Sequence, residues 1–363
     1  MGLESRIMET QEILQRVLRN DLEKWDIGDK HITGLIGSHP SDYSKSPAMW
    51  NNVYNNPEIL MNFVYVPFDL GALSDGKADL KALGKFVEAV RNSGKVFGFN
   101  VTMPYKLAIL EHLDWIDPVA EKIGAVNTVV VRDGKFYGHN TDGLGEVDNL
   151  LISRPLMDKP FIDSLVGKRV LVLGAGGASD AVSFALATEI KDSGSIYIAN
   201  RTGSKALELA DKIAGYYRGK GINVKIVGGG EDKILEYLEN NPELIINTSL
   251  KGQAKSVPNL EPYSAIVPAY EGEEGVEKNN RESLELFRKI PKSTRVADII
   301  YSPQESVMLR HARGTGHQTQ NGLGMLLFQA VGAFSLVHKE DVENRDIKKD
   351  EIIRLMHKGL IGK

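Results

Sequence analysis

Lys106 and Asp142, both in the first half of the chain, are a lysine and a carboxylate that could carry out proton transfer together. Lys106 follows the strand-like residues 96–99, at the carboxyl edge of a sheet, where ligands of open α/β sheets bind. A lysine beside a carboxylate can hold a substrate hydroxyl and carry its proton while the carbon loses hydride. The pair therefore predicts the oxidation of an alcohol or the reverse reduction.

A hairpin brings Asp142 and Asn127 to one place. Two strand-like runs within residues 127–142 flank Asp133-Gly134, which is a favoured two-residue hairpin turn. If that turn sets the register, paired residue numbers sum to 267. Asn127 then lies opposite Asn140, and Asp142 lies just beyond at the same open end.

Further polar side chains follow strands or interrupt apolar helices. Ser44 and Ser46 precede a helix, and Ser46 is interpreted as its cap with Pro47 at the first helical position. Thr102 leaves the same strand-end loop as Lys106. Gln329 interrupts an apolar helix, where a buried amide requires a partner such as a substrate hydroxyl or a backbone carbonyl.

A glycine-rich loop follows the strand-like residues 169–173 and reads Gly174-Ala175-Gly176-Gly177-Ala178. Glycines at such a position let backbone N–H groups approach a pyrophosphate at the start of a helix. The next strand ends in Asn200-Arg201-Thr202, with Lys205 one turn later. Since a guanidinium attracts a 2′-phosphate and offers no acceptor to a bare ribose diol, the cofactor is predicted to be NADP rather than NAD.

The elements that position these residues alternate between strands and helices, which indicates an α/β fold with two domains. Five strand-like runs from residue 169 to residue 300 predict a parallel, doubly wound sheet. Residues 1–30 carry apolar residues at helical spacing and predict an added amphipathic helix. We expect residues 270–283 to form an inserted surface loop, residues 322–337 an apolar helix, and residues 339–363 a charged helical tail.

Composition excludes several classes of protein. The 363 residues contain 44 Lys plus Arg against 48 Asp plus Glu, which gives no electrostatic footprint for nucleic acid or an anionic membrane. The absence of cysteine excludes disulfides, thiolate metal sites and a cysteine nucleophile. The eight histidines lack metal-ligand spacing, so no metal is predicted. With neither a signal peptide nor a membrane-spanning segment, cytoplasmic location is the expectation.

Taken together, these residues resemble the shikimate dehydrogenase family. The matching motifs occur in family order over about 300 residues. They are Ser44-Lys45-Ser46-Pro47, Asn100-Val101-Thr102-Met103-Pro104-Tyr105-Lys106, Ala125-Val126-Asn127-Thr128, Asn140-Thr141-Asp142-Gly143, the glycine loop at 174–178, Asn200-Arg201-Thr202, Asp298-Ile299-Ile300-Tyr301-Ser302-Pro303, and Asn321-Gly322-Leu323-Gly324-Met325 with Gln329.

The resemblance implies a substrate-binding α/β domain at 31–150 with a returning helix at 321–338, and an NADP-binding Rossmann domain at 165–320. Residues 1–30 and 339–363 are then an N-terminal extension and a C-terminal tail, and the active site lies in the cleft between the domains. The implied reaction interconverts shikimate and 3-dehydroshikimate by hydride exchange with nicotinamide. The protein is expected to act on this small molecule as a monomer or homodimer, without nucleic acid or membrane partners.

The resemblance also implies residue roles. Lys106 transfers the proton and Asp142 is its partner. Ser44 and Ser46 hold the ring carboxylate, and hydroxyls are held by Thr102, Asn127 and Gln329. Tyr301 borders both the carboxylate and the nicotinamide. Beyond the glycine loop and Asn200, Arg201, Thr202 and Lys205, the residues expected at the cofactor are Thr248, Tyr301, Gly322 and Met325.

Several residues depart from the family pattern. Trp50 replaces a common histidine, and the segment 37–43 is one residue longer than usual. Asp180 occupies a position where a basic residue is frequent, and its carboxylate is expected to repel the pyrophosphate. The alternatives left open are dehydrogenation of quinate or another cyclitol such as an amino-shikimate, and a non-catalytic protein that senses nucleotides.

Overall fold

The computed structural model describes residues 12–153, 159–256 and 258–362. The chain divides into two compact units, one formed by residues up to 141 together with those from 327 onward, the other by residues 142–326. Each unit is built on a six-stranded sheet with intervening helices. The predicted α/β class is thereby confirmed for both.

The sheet of the first unit is mixed, with strand order β2-β1-β3-β5-β6-β4. Its β1, β2 and β3 run parallel, whereas β5 is antiparallel to both β3 and β6. The strands are β1 (His31–Gly37), β2 (Phe63–Asp69), β3 (Val96–Val101), β4 (Trp115–Ile116), β5 (Thr128–Arg132) and β6 (Lys135–His139).

One helix of the first unit shows how its ends are set, by a side-chain cap at the N-terminus and a glycine at the C-terminus. Asp79 caps the helix that follows it by accepting from the Ala82 N–H at 3.0 Å, and Gly94 ends that helix at φ 58°. The helices are α1 (Ser46–Tyr54), α2 (Leu80–Ser93), α3 (Tyr105–Ala108) and α4 (Pro118–Ile123), with short 3-10 turns at Leu22–Lys24, Pro40–Asp42 and Ile109–His112.

The sheet of the second unit is wholly parallel, with order β12-β11-β10-β7-β8-β9. This is the doubly wound order of a dinucleotide-binding domain. The strands are β7 (Arg169–Leu173), β8 (Ser195–Asn200), β9 (Lys225–Gly230), β10 (Leu244–Asn247), β11 (Arg295–Asp298) and β12 (Thr319–Gln320). The helices are α5 (Asp142–Leu151), α6 (Gly177–Ile190), α7 (Gly203–Arg218), α8 (Ile234–Leu238), α9 (Gly272–Lys289) and α10 (Val307–Gly314), with 3-10 turns at Lys191–Ser193 and Glu231–Lys233.

Three C-terminal helices follow β12. They are α11 (Leu323–Val337), α12 (Lys339–Asn344) and α13 (Lys349–Ile361), which confirms the predicted apolar helix and helical tail. α13 packs against α1, and the Asn52 side-chain amide donates to the Leu355 carbonyl at 2.7 Å. Gly359 allows close approach, since a Cβ there would collide with the Ala48 carbonyl. The tail is therefore part of the first unit.

The predicted N-terminal helix differs in the structure. Residues 1–11 lie outside the described part of the chain, and the helix that contains residues 12–15 ends there. Arg19 and Asn20 instead bond to the end of β2, with Arg19 N 2.8 Å from the Asp69 carbonyl and Asn20 Nδ2 2.9 Å from the Pro67 carbonyl. Leu14, Leu18 and Leu22 are buried in the core of the unit. Because the described helix ends at residue 15 and residues 19 and 20 are bonded to the end of β2, the prediction of one helix over residues 1–30 is wrong.

The prediction of a surface loop at 270–283 is also wrong, because α9 occupies most of it. The buried face of α9 repeats every four residues, through Gly275, Asn279, Ser283 and Phe287. Asn279 takes the Ser264 N–H at 2.8 Å and donates to the Pro268 carbonyl at 2.8 Å. Since three of these four residues are small or polar, the hydrophobic pattern did not reveal the helix.

The division of the chain also differs from the expected boundaries. α5, placed by the sequence in the domain 31–150, packs against α6 within the second unit. Gly143 permits this packing, because a Cβ there would collide with the backbone of Ala181. The second division falls inside α11, between residues 326 and 327, whereas the whole segment 321–338 was assigned to the first domain.

Candidate active site

The centre of the candidate site in the first unit is Asn127, which is 3% exposed. Its Nδ2 donates to Thr141 Oγ1 at 2.9 Å, and its Oδ1 accepts from the Thr141 N–H at 2.9 Å. Observed pairs in the hairpin, such as Thr128 with His139 and Arg132 with Lys135, sum to 267 as predicted. The turn residues Asp133 and Gly134 both have positive φ, 50° and 72°, as this hairpin type requires.

A chain of hydrogen bonds fixes the orientation of the Asn127 amide. The Tyr65 hydroxyl donates to Asn100 Oδ1 at 2.8 Å, and Asn100 Nδ2 donates to Thr128 Oγ1 at 3.1 Å. Thr128 Oγ1 then donates to Asn127 Oδ1 at 2.9 Å. Burial raises the pKa of Tyr65, so its hydroxyl remains a donor. The donor and the acceptor of each of these three hydrogen bonds are thereby assigned.

Gln329 is joined to this chain through its backbone. Thr141 Oγ1 donates to the Gln329 carbonyl at 3.0 Å, and the Gln329 residue is half-buried. The expectation of a fully buried amide is therefore not met. Asn127, Thr141 and Gln329 are nevertheless brought together from the hairpin and from α11.

Lys106 lies in α3, beside the same hairpin. Its carbonyl accepts from the Val126 N–H at 3.0 Å, and the Asn127 carbonyl accepts from the Val101 N–H at 2.8 Å. These bonds place the backbone of Lys106 next to that of Asn127. The side chain of Lys106 is half-buried, as is that of Asp142, which directly follows Thr141 and begins α5.

Thr102 and the two serines lie at strand and helix ends of the first unit. The Thr102 N–H donates to the Ile36 carbonyl at 2.9 Å, so the loop after β3 is tied to the end of β1. Ser46 is the first residue of α1, and its N–H donates to Ser44 Oγ at 3.1 Å. The interpretation of Ser46 as the cap is wrong, because Ser46 is already the first helical residue and Lys45 holds the N-cap position, without a capping hydrogen bond from its side chain.

Two departures from the family pattern have local structural explanations. Trp50 is 1% exposed and packs on Tyr65, with ring centroids 4.8 Å apart, so it belongs to the aromatic core under α1. In the longer segment before the serines, Ser41 donates through its N–H to Asp69 Oδ1 at 3.0 Å and through its hydroxyl to Asp69 Oδ2. The added length is therefore anchored on β2.

In the second unit, the glycine loop is in close contact with Thr248 at its first residue, Gly174, and has open space around Gly176 and Gly177. Gly174 has φ 122°, and a Cβ there would lie 2.8 Å from Thr248 Oγ1. The Thr248 N–H in turn donates to the Leu173 carbonyl at 2.8 Å. A Cβ at Gly176 or Gly177 would meet no atom within 4 Å, so these glycines leave room at the start of α6. This geometry fits a bound pyrophosphate.

The segment after β8 is accessible. Asn200 turns its side chain back, with Nδ2 3.0 Å from the Thr202 carbonyl, whereas Arg201, Thr202 and Lys205 are exposed. Thr202 precedes α7 without capping it through its side chain. The Arg201 side chain is therefore exposed at the carboxyl edge of the sheet. This position is compatible with binding of an adenosine 2′-phosphate.

Asp180 does not act as an uncompensated charge. Its Oδ1 lies 2.9 Å from Lys212 Nζ, with side chains 20% and 35% exposed. Burial raises the pKa of Asp180, and Lys212 opposes that shift. The expected repulsion of the pyrophosphate is reduced by this ion pair.

Asp298 and Asn247 are two buried polar residues for which the sequence assigned no role. They are register partners at the ends of β11 and β10, and Asn247 Nδ2 donates to Asp298 Oδ1 at 3.1 Å. Asp298 also accepts from Ser306 Oγ at 2.6 Å and from the Ile300 N–H at 2.9 Å. Burial raises the pKa of Asp298 to about 7. The signal that could have found them is their common position as the last polar residue of a buried parallel strand.

Three residues expected at the cofactor follow β11 or β12. Tyr301, which follows β11, is 42% exposed. Gly322 donates through its N–H to the Ile300 carbonyl at 3.0 Å, and a Cβ there would collide with the Ile299 carbonyl. Met325 lies in the first turn of α11 and is half-buried.

Within the described ranges, no cluster of three His, Asp or Glu side chains is arranged to hold a metal ion. Among the helices in the described part of the chain, none has the length and apolarity to cross a membrane.

The fold and these residues define a two-unit α/β protein with a dinucleotide-binding sheet, and comparisons with known proteins specify it further. Residues 35–129 match the family model for the shikimate dehydrogenase substrate binding domain. The NADP(+) shikimate dehydrogenase of Caldanaerobacter subterraneus subsp. tengcongensis is 37% identical over 84% of this chain and 90% of its own length. The chain therefore belongs to the shikimate dehydrogenase family.

Solved structures agree with this assignment. A shikimate dehydrogenase crystallised with NADP+ is 32% identical, with a TM-score of 0.64 over 92% of this chain and 95% of that chain. A quinate dehydrogenase of Corynebacterium glutamicum, crystallised with NAD, is 26% identical, with a TM-score of 0.66 over 92% and 99% of the two chains.

Proposed function

We propose that this protein is an NADP-dependent shikimate dehydrogenase, which interconverts shikimate and 3-dehydroshikimate. The observation that carries the proposal is the position of Lys106 beside the fixed amide of Asn127, since their backbones are joined through Val126 and Val101. The same amide is joined through Thr141 to Gln329. A proton carrier next to a hydrogen-bonding group of defined orientation suits a substrate hydroxyl.

In the proposed mechanism, Lys106 Nζ accepts the proton of the C3 hydroxyl during oxidation and returns it during reduction. Asp142 holds Lys106 in position, and Thr102, Asn127 and Gln329 hold the ring hydroxyls. Ser44 and Ser46 bind the ring carboxylate, and Tyr301 borders both the carboxylate and the nicotinamide. Bound NADP supplies the hydride acceptor or donor.

The cofactor is proposed to bind with its pyrophosphate on the glycine loop from Gly174 to Ala178. Open space at Gly176 and Gly177 supports this position. Arg201 and Lys205 are proposed to hold the 2′-phosphate, with Asn200 and Thr202 at the ribose. Thr248, Gly322 and Met325 are proposed along the nicotinamide half.

Quinate is the second candidate substrate, because one structural neighbour is a quinate dehydrogenase. The 37% identical relative is a shikimate dehydrogenase, and Ser at both 44 and 46 favours shikimate, since the added C1 hydroxyl of quinate would have to fit at the carboxylate end. Shikimate is therefore preferred over quinate and over an amino-shikimate. Cytoplasmic location and a monomeric or homodimeric state without nucleic acid stay predictions.

Steady-state kinetics with shikimate and quinate, each with NADP and NAD, test the proposal. We expect kcat/KM to be highest for shikimate with NADP. The proposal fails if neither substrate supports NADPH formation at about millimolar concentration, which is the upper end of ordinary KM values. A higher kcat/KM for quinate would transfer the assignment to that substrate.

A further inference from the structure

A buried ion pair lies next to Arg201 at the carboxyl edge of the second sheet. In the register of β8 with β9, Asn200 pairs with Gly230. The residues that follow, Arg201 and Glu231, therefore leave two adjacent parallel strands at the same edge. This places a carboxylate beside the proposed 2′-phosphate site.

The carboxylate of Glu231 is held by Lys251. Lys251 Nζ lies 2.6 Å from Glu231 Oε1, with side chains only 7% and 15% exposed, and it also donates to the Val267 carbonyl at 2.8 Å. Lys251 belongs to the loop after β10, where the sequence departs from the family pattern. The pair thus connects the end of β9 with that loop.

Arg201, Glu231 and Lys251 form one electrostatic group. Burial lowers the pKa of Lys251, the carboxylate of Glu231 raises it, and Arg201 lowers it further. Arg201 therefore lies close enough to interact with the pair. An unneutralised Glu231 carboxylate here would repel a phosphate dianion and would accept a hydrogen bond from a bare ribose diol.

We propose that Lys251 is a specificity-determining residue for the cofactor, which neutralises Glu231 and so preserves the preference of Arg201 for a 2′-phosphate. The inference rests on the proposed function, because it assumes that Arg201 faces the adenosine 2′-position. Lys251 acts through Glu231 and is a positioning residue in this respect. The charge of the group is +1 with the pair intact, 0 without Lys251, and +1 again when both partners are neutral.

The test measures binding of two fragments by calorimetry, adenosine 2′,5′-bisphosphate and adenosine 5′-monophosphate, which differ only in the 2′-phosphate. In Lys251→Met we expect the preference for the bisphosphate to fall about tenfold, the effect of one unit charge at a partly screened distance. In the double variant Lys251→Met, Glu231→Gln the preference returns to that of the wild type. In Glu231→Gln the preference rises, because the charge of the group becomes +2.

Lys168→Met is the matched control. It removes one positive charge from the same unit, where Lys168 Nζ lies 3.7 Å from Glu243 Oε1 with both side chains about one-third exposed. This pair lies just before β7 and β10, at the opposite edge of the sheet. We expect its fragment preference to be unchanged.

Equal weakening of both fragments in Lys251→Met would show a purely structural role and overturn the proposal. So would a double variant that fails to regain the preference. Removing one partner of a buried pair also destabilises the fold. If Lys251→Met does not fold, a raised preference in Glu231→Gln together with a wild-type preference in the double variant supports the proposal, whereas a wild-type or lower preference in Glu231→Gln overturns it.

Arg201→Gln separates this inference from the proposed function. A selective loss of the bisphosphate in Arg201→Gln with an unchanged Lys251→Met overturns the inference alone. If Arg201→Gln weakens both fragments equally, the assigned 2′-phosphate role of Arg201 fails and the inference fails with it.

Discussion

Asn127 and Thr141 exchange two hydrogen bonds of 2.9 Å each, one between their side chains and one from the Thr141 backbone to the Asn127 amide. The exchange closes the open end of the hairpin formed by β5 and β6. It also fixes the backbone immediately before Asp142. One local contact thus helps to position both the amide of Asn127, proposed to bind substrate, and the residue Asp142, proposed to take part in catalysis.

Thr141→Val tests that relationship. Valine keeps the shape of threonine but removes the hydroxyl that contacts Asn127 and the Gln329 carbonyl. We expect a loss of about 1–3 kcal/mol in the free energy of unfolding, because buried partners are left unsatisfied. We also expect a fall of about tenfold or more in kcat/KM, since misplacement of reacting groups is costly.

Thr188→Val is the matched control for this experiment. Thr188 Oγ1 lies 2.7 Å from the Tyr217 hydroxyl in the second unit. We expect Thr188→Val to lower the free energy of unfolding in urea and to leave kcat/KM nearly unchanged. Equal kinetic losses in the two variants would refute the specific role of Thr141.

Lys106→Met should lower kcat by about two to four orders of magnitude, the usual contribution of a positioned acid or base. The fold should persist, because the backbone bond from Val126 to Lys106 does not involve the side chain. Asp142→Asn should give a smaller loss in kcat. Lys122→Met in α4, which removes an exposed lysine, serves as the control, and unchanged activity in Lys106→Met would rule out the proposed mechanism.

Gly176→Ala should weaken NADP binding without harming the fold. The residue has φ −104° and ψ −175°, which alanine adopts freely, and its Cβ would meet no protein atom. We expect the KM for NADP to rise about tenfold, since a methyl group would occupy space needed by the pyrophosphate. Thermal unfolding should be unchanged.

Gly174→Ala provides the contrast. Its φ of 122° and its contact with Thr248 should cost about 1–3 kcal/mol of stability. Gly215→Ala in α7, where the Cβ also meets nothing, should alter neither cofactor binding nor activity. Unimpaired NADP binding by Gly176→Ala would argue against the proposed position of the pyrophosphate.

Asp298 should make stability depend on pH. Burial raises its pKa to about 7 from 3.8, so the folded state keeps a proton that the unfolded state releases between these values. The contribution to the free energy of unfolding is present below pH 4 and is lost as pH rises to 7, by about 4 kcal/mol. Above pH 7 it no longer changes.

Asp298→Asn removes this titration. Urea unfolding from pH 4 to pH 8 should show that stability falls less steeply with rising pH in the variant than in the wild type. Parallel curves for the two proteins would contradict the raised pKa. Asp163→Asn, which removes an exposed carboxylate from the same unit, controls for the altered charge.

The amino-acid sequence by itself determined those features that depend on local patterns. Alternating strands and helices indicated two α/β sheets, and Asp133-Gly134 set the hairpin register because turn chemistry acts over a few residues. The glycine loop after β7 and Arg201 after β8 were recognisable for the same reason.

Tertiary structure decided what depends on contacts distant in sequence. α5 packs with the second unit because Gly143 admits the backbone of Ala181, and α9 forms because Asn279 bonds to carbonyls that precede it. The roles of Asp298 and of the Lys251 and Glu231 pair followed from strand register and burial. Such contacts cannot be predicted from neighbouring residues, because the sequence does not show whether the hydrogen-bond partner of a polar side chain is water or a buried group.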